Sequence, residues 1–117
     1  MDKRMTGVIG EKLTCKYYRE KGYRLLSVNY HSRFGEIDVI AQKNDVIVFC
    51  EVKTRSEKSY YSPKEAVTAA KQTKIKNTAL IYIDENKLDK YSVRFDVSEV
   101  YSKDNRYKLN IIENAFE

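Results

Sequence analysis

Residues 35–55, "GEIDVIAQKNDVIVFCEVKTR", constrain the fold more than any other stretch. Two runs rich in Ile, Val and Phe flank the polar segment "QKND", which predicts a β-hairpin with strands over residues 36–41 and 46–53. Strand side chains alternate between faces. Ile37, Val39, Val48 and Cys50 are therefore expected to supply core, while Glu36, Asp38, Glu51 and Lys53 gather on the opposite face. The turn leaves two registers open. If Asn44 and Asp45 form the loop, Asp38 faces Glu51 and Glu36 faces Lys53; if Lys43 and Asn44 form it, Glu36 faces Glu51 and Asp38 lies diagonal to Glu51. A slip of one residue would turn the apolar set to solvent, so either register keeps the charges together.

The rest of the chain must build on this hairpin. Residues 6–21 suit a helix that Gly22 stops as a C′ glycine, and residues 23–30, "YRLLSVNY", suit a strand followed by the polar turn "HSRFG". Ser62, Pro63 and Glu65 form a capping box with proline at the favoured first position, which predicts a helix from there to about residue 83. Strands are expected over residues 91–101, where Val93, Phe95 and Val97 alternate with Arg94, Asp96 and Ser98, and over about residues 107–113. The order is αβββαββ. A strand–helix–strand crossover makes its two strands parallel, so the expected sheet is mixed and flanked by helices. At 117 residues the whole chain, 1–117, fits one α/β domain with its own core. No apolar run approaches the roughly 20 residues that span a bilayer. The N-terminal "MDKRMTGVIGEKL" lacks the apolar stretch of a secretory signal, and a cytoplasmic protein is expected. Cys15 and Cys50 lack metal-ligand spacing and read as buried thiols.

Charge is uneven along the chain. Residues 1–24 sum to +4 and 53–76 to +5, whereas 25–52 and 77–117 each sum to −2. A basic rim around an acidic centre suits a polyanion whose phosphates are held while a cation sits among carboxylates; a solvated, lysine-rich surface is the plainer reading.

Directly opposed carboxylates have Cβ atoms about 5 Å apart and, at an effective dielectric constant of about 20, repel by roughly 3 kcal/mol. Lys53 relieves part of this. A protonated acid is one further remedy, and a bound divalent cation is the other. Mg²⁺ often takes only one or two carboxylates and fills its remaining positions with water and substrate phosphate. On a helical wheel of the first helix, Lys12, Lys16, Arg19 and Glu20 share one side. Glu11 falls on the other, among Gly10, Thr14, Cys15, Tyr17 and Tyr18, as a lone carboxylate on an uncharged face.

The sequence Asp38 … Glu51-Val52-Lys53 resembles the D…(D/E)xK signature of the PD-(D/E)xK nuclease superfamily, with a helical glutamate ahead of it as in archaeal Holliday junction resolvases. More closely, "GEIDVIA", "FCEVKTR", "RFDV" and the final "AF", with Gly7, Gly10 and Glu11, are similar to the bacterial YraN-like family over nearly the whole chain. The resemblance implies a restriction-endonuclease-like αβββαβ core. It also implies that Asp38, Glu51 and the Val52 carbonyl bind Mg²⁺ or Mn²⁺, that Lys53 orients water or stabilises developing charge, and that Glu11 completes the site. On the second helix it implies a supporting polar residue at Lys71 or Gln72. Ile37 stands where the superfamily's nominal proline would be.

Hydrolysis of DNA phosphodiesters, with branched DNA as a candidate substrate, is the activity expected on these grounds. Arg55, Lys58, Lys64, Lys71 and Lys74 are candidate phosphate contacts, and Glu36 a neighbour of the ligands. Tyr60 and Tyr61 read as loop closure or base stacking, and His31, in a polar turn, as a surface residue. Paired cuts at a junction would suit a homodimer. Two further readings stand beside this one: a nucleic-acid-binding module of the same fold without turnover, and an interaction protein whose acids form a structural charge network.

Overall fold

The computed structural model describes residues 3–56, 67–104 and 106–117. Helix α1 (Lys3–Glu20) stops where expected. Gly22 adopts φ +90°, and the Tyr23 N–H reaches the Tyr18 carbonyl at 2.9 Å while that of Gly22 reaches Arg19 at 3.0 Å, a Schellman closure that turns the chain into the sheet. Strands β1 (Arg24–Ser32), β2 (Gly35–Lys43) and β3 (Val46–Ser56) form an antiparallel meander. Helix α2 (Ala69–Glu85) then leads to β4 (Ser92–Lys103), parallel to β3, and β5 (Arg106–Phe116) closes the sheet antiparallel to β4. Strand order follows chain order, β1-β2-β3-β4-β5. This is the expected αβββαββ arrangement and mixed sheet, with the restriction-endonuclease-like core order. Among the described residues, no helix is long and apolar enough to cross a membrane.

The helices lie on opposite faces, because consecutive residues of β3 pack against different ones. Val48 and Cys50 join Cys15 and Tyr18 of α1, whereas Ile47 and Phe49 join Ile75, Ala79 and Tyr82 of α2. Both cysteines are buried free thiols. The hairpin adopts the first of the two registers, with Lys43 opposite Val46 and Val39 opposite Cys50, and Asn44 supplies the left-handed turn residue at φ +53°.

Two expectations change. Thr68 is extended (φ −63°, ψ 162°) and its side chain caps α2 by accepting from the Lys71 N–H at 3.2 Å, so no continuous helix runs from Ser62 to residue 83. The proposed cap at Ser62, Pro63 and Glu65 itself lies outside the described residues, as do Tyr60 and Tyr61. Nor is one face of the hairpin apolar and the other charged: Ile37 packs with the α2 cluster, Val39 with the α1 cluster. The cause is a local turn of the strand pair. Asn29 takes φ +56° inside β1, between Val28, paired with Val39, and Tyr30, paired with Ile37. Beyond it Tyr30 faces α2, its ring edge-on to Tyr82 at 4.9 Å.

Candidate functional site

Backbone pairing of β2 with β3 ends at Val39 and Cys50. The next N–H that a continuing ladder would engage, that of Val52, donates instead to the Asp38 side chain, at 2.7 Å from Oδ2. Asp38 is thereby held where the two strands part. Its carboxyl is pushed up to about 7, first by burial and then by the charge of Glu51, with smaller contributions from Glu11 and Glu36; the Val52 N–H opposes the rise.

Glu51 is 6% exposed. Lys53 Nζ and Lys71 Nζ each stand 3.6 Å from its Oε1, one from the same strand face and one from the first turn of α2. Its other oxygen, Oε2, is buried without a hydrogen-bond donor among the described residues. Burial raises the Glu51 carboxyl, and Lys71 and Lys53 counter the rise. Glu11 is half-buried and accepts from Asn29 Nδ2 at 3.1 Å, so the same asparagine that turns β1 also orients the helical glutamate.

The structure thus brings Asp38, Glu51, Lys53 and Lys71 together, with Glu11 and Glu36 within electrostatic reach. Glu36 does not face Lys53 across a ladder. It lies on the surface with its Oε2 3.4 Å from His31 Nδ1. Arg55, read as a phosphate contact, is instead 9% exposed and pairs at 3.1 Å with Glu99, itself 1% exposed. Gln72 donates to the Val67 carbonyl at 3.0 Å and lines a cleft with Asn114 and Phe116, away from the carboxylates. Lys74 is exposed beside Lys71, and Lys58 and Lys64 lie outside the described residues.

Several charged or polar residues carry more structure than sequence reasoning assigned to them. Asp96 is fully buried and accepts from Tyr18 Oη at 2.7 Å, from Arg94 at 2.9 Å through each oxygen and from the Asn114 N–H at 3.0 Å. Glu99 and Ser98 are buried beside it on β4. The available signal was "RFDVSEVY", in which acids interrupt a run too apolar for an exposed strand.

The fit of a divalent cation rests on donor chemistry. Among the described residues no group of three or more His, Cys, Asp or Glu converges as a metal cage. A two-carboxylate site with an unsatisfied buried oxygen on Glu51 and the Asp38 carboxylate beside it is of the kind Mg²⁺ takes, with water and substrate completing the shell.

A family model described as "Uncharacterised protein family UPF0102" matches residues 10–100. The chain is 48% identical to a UPF0102 protein of Alkaliphilus oremlandii over 94% of its length and 96% of that protein's. It is 45% identical to one from Syntrophus aciditrophicus, covering 96% of this chain and 88% of the relative. A third, from Clostridium perfringens, is 43% identical over 94% of this chain and 92% of its own. All of the residues gathered at the site fall within the stretch that the family model covers. The chain belongs to the UPF0102 family, the YraN-like group whose motifs it carries.

Proposed function

We propose that the protein is a metal-dependent DNA endonuclease, and that branched DNA is its substrate. The observation that carries this reading is Glu51: a buried carboxylate with one oxygen between two lysines, the other without a donor among the described residues, beside an Asp38 held at the parting of two strands. Asp38 and Glu51 would hold Mg²⁺ or Mn²⁺, with the Val52 carbonyl as a third candidate. When bound, the cation supplies Lewis-acid polarisation of the scissile phosphate and a water of lowered pKa.

The chain's own groups have separate tasks. The Val52 N–H fixes Asp38 and so sets where one ligand oxygen stands. Lys53 and Lys71 each lie one ion-pair length from Glu51, close enough to stabilise charge that develops on a phosphate bound beside it. Glu11, oriented by Asn29, would accept a hydrogen bond from the attacking water or one bound nearby. Opposed nicks across a junction would require two copies of the chain.

The same two lysines favour a second reading. They already neutralise Glu51, as a cation would, which suits a module that binds nucleic acid without turnover. Nicking assays on plasmid, flap and four-way-junction DNA with Mg²⁺ or Mn²⁺ separate the two. Cleavage that falls at least about 100-fold in both Asp38→Ala and Glu51→Ala is expected, the scale on which loss of a charge-stabilising group acts. Retention of DNA binding by the unmodified chain with no cleavage of any substrate would leave the binding module.

A further inference from the structure

The turn between β1 and β2 carries a feature that the carboxylate site does not use. Phe34 is 40% exposed at its tip, although hydrogen bonds through Ser32 hold the turn around it. Ser32 Oγ accepts the Phe34 N–H at 3.1 Å and lies 2.9 Å from Thr78 Oγ1 of α2, which ties the turn to the helix. Gly35 takes φ +151°, a conformation essentially reserved for glycine, and it faces α2, where an added Cβ would meet Lys74 Cβ at 3.5 Å, an ordinary contact, so it is the backbone and not the space that calls for glycine. The Arg33 guanidinium lies 4.9 Å from the Phe34 ring centroid. Between this turn and α2 opens a cleft of about 360 Å³, lined by His31, Phe34, Glu36, Lys71 and Lys74.

The cleft and the carboxylate site share a residue. Lys71 lines the cleft and stands 3.6 Å from Glu51. A solvent-facing aromatic ring with a guanidinium over one face and two lysines along one wall are what a single nucleic-acid strand needs: a second π-face for the base and ammonium groups for its phosphates. A base inside a duplex has both faces stacked and cannot use the ring. We propose that this cleft receives an unpaired nucleotide of a DNA strand, its base on Phe34 and its phosphates on Lys74 and Lys71. The strand is then led to Asp38 and Glu51. The proposal rests on the nuclease reading for its choice of DNA, and it names the substrate class as DNA with an unpaired segment next to the scissile phosphate.

The test measures binding without cleavage. Fluorescein-labelled DNA of one length, as a blunt duplex and as a duplex with a single-stranded overhang, is titrated with the full chain in EDTA and followed by anisotropy. The overhang is expected to bind about tenfold more tightly, and Phe34→Ala to lose most of that difference while Phe34→Trp keeps it. A 2-aminopurine in the overhang should be quenched by the unmodified chain and by Phe34→Trp, but not by Phe34→Ala. Phe34 is exposed, so circular dichroism should report all variants folded. Equal binding of the overhang by Phe34→Ala and the unmodified chain overturns the proposal, as does absence of DNA binding. Displacement by an equal concentration of dAMP would assign the cleft to free nucleotides, and tighter binding of an RNA overhang would assign it to RNA; each overturns it. Failure here and failure of the nuclease reading are distinguishable: cleavage that survives Phe34→Ala with unchanged binding sinks only this proposal. Phe34-dependent binding by a chain that never cleaves sinks only the other.

Discussion

Asp38 is the residue on which most of the site turns, and its strand position alone did not disclose how it is held. Its side chain takes the N–H of Val52 that a regular ladder would pair with backbone. Burial and Glu51 then raise its carboxyl to about 7. The folded chain therefore holds this proton more tightly than the unfolded one, whose aspartates titrate near about 4. Its contribution to stability is full below that lower value and is lost as pH rises through about 7, the direction set by linkage. In EDTA, thermal unfolding of the unmodified protein should show stability falling between pH 5 and pH 8. Asp38→Asn, which keeps an oxygen for the Val52 N–H, should remove that dependence and gain roughly 2 kcal/mol at the upper end. Parallel pH profiles for the two proteins would sink the assignment. The presence of Asp38, Glu51 and Lys53 in one site was legible from period-two spacing and the short turn. Lys71 was a candidate by resemblance, but its contact with Glu51 depends on how α2 docks. The ion pair of Arg55 was not legible, because local sequence does not reveal a partner on a neighbouring parallel strand, here Glu99.

At the scale of elements, α1 sits close to the sheet, and Gly10 is the reason. A Cβ at that position would lie 2.9 Å from Thr54 Oγ1 and 3.2 Å from Val52 Cγ1, so a helix residue with a side chain would have to push α1 or β3 aside. Helix propensity favours alanine over glycine by about 1 kcal/mol, which makes Gly10→Ala a sharp test. Overpacking is expected to win, leaving a net loss of about 1–2 kcal/mol in urea unfolding that Thr54→Ala partly restores. A Gly10→Ala protein more stable than its parent would refute the packing argument. Because Val52 is one of the crowded residues and its N–H holds Asp38, the same substitution disturbs the site from the opposite face of β3. Gly22 was legible as the stop of α1, since a glycine after a helical run is the ordinary C′ signal. The start of α2 was not. The Ser-Pro-Lys-Glu box lies outside the described residues, and the cap of the described helix, Thr68, was not singled out by local sequence.

Across the whole molecule, a polar network on one face of the sheet joins α1, β4 and β5 through Asp96. Tyr18, Arg94 and the Asn114 backbone all donate to it, and Arg94 reaches on to Tyr23 Oη at 2.9 Å. Asp96→Ala leaves a half-buried guanidinium and a buried phenol without their acceptor and should cost about 3–5 kcal/mol. Equilibrium urea unfolding measures this, and a loss below about 1 kcal/mol would show that the network is dispensable. What the sequence by itself determined is the element order, the hairpin with its two candidate registers, the mixed sheet and the family. These depend on local periodicity, turn length and the geometry of a crossover, which short stretches of chain specify. Only the tertiary structure decided where the strands part at Asp38, that α2 brings Lys71 to Glu51, that Arg55 and Glu99 are buried together, and that Phe34 stands over a basic cleft. Those outcomes depend on which distant residues meet once both faces of the sheet are covered, and contact between distant residues is set by packing rather than by spacing along the chain.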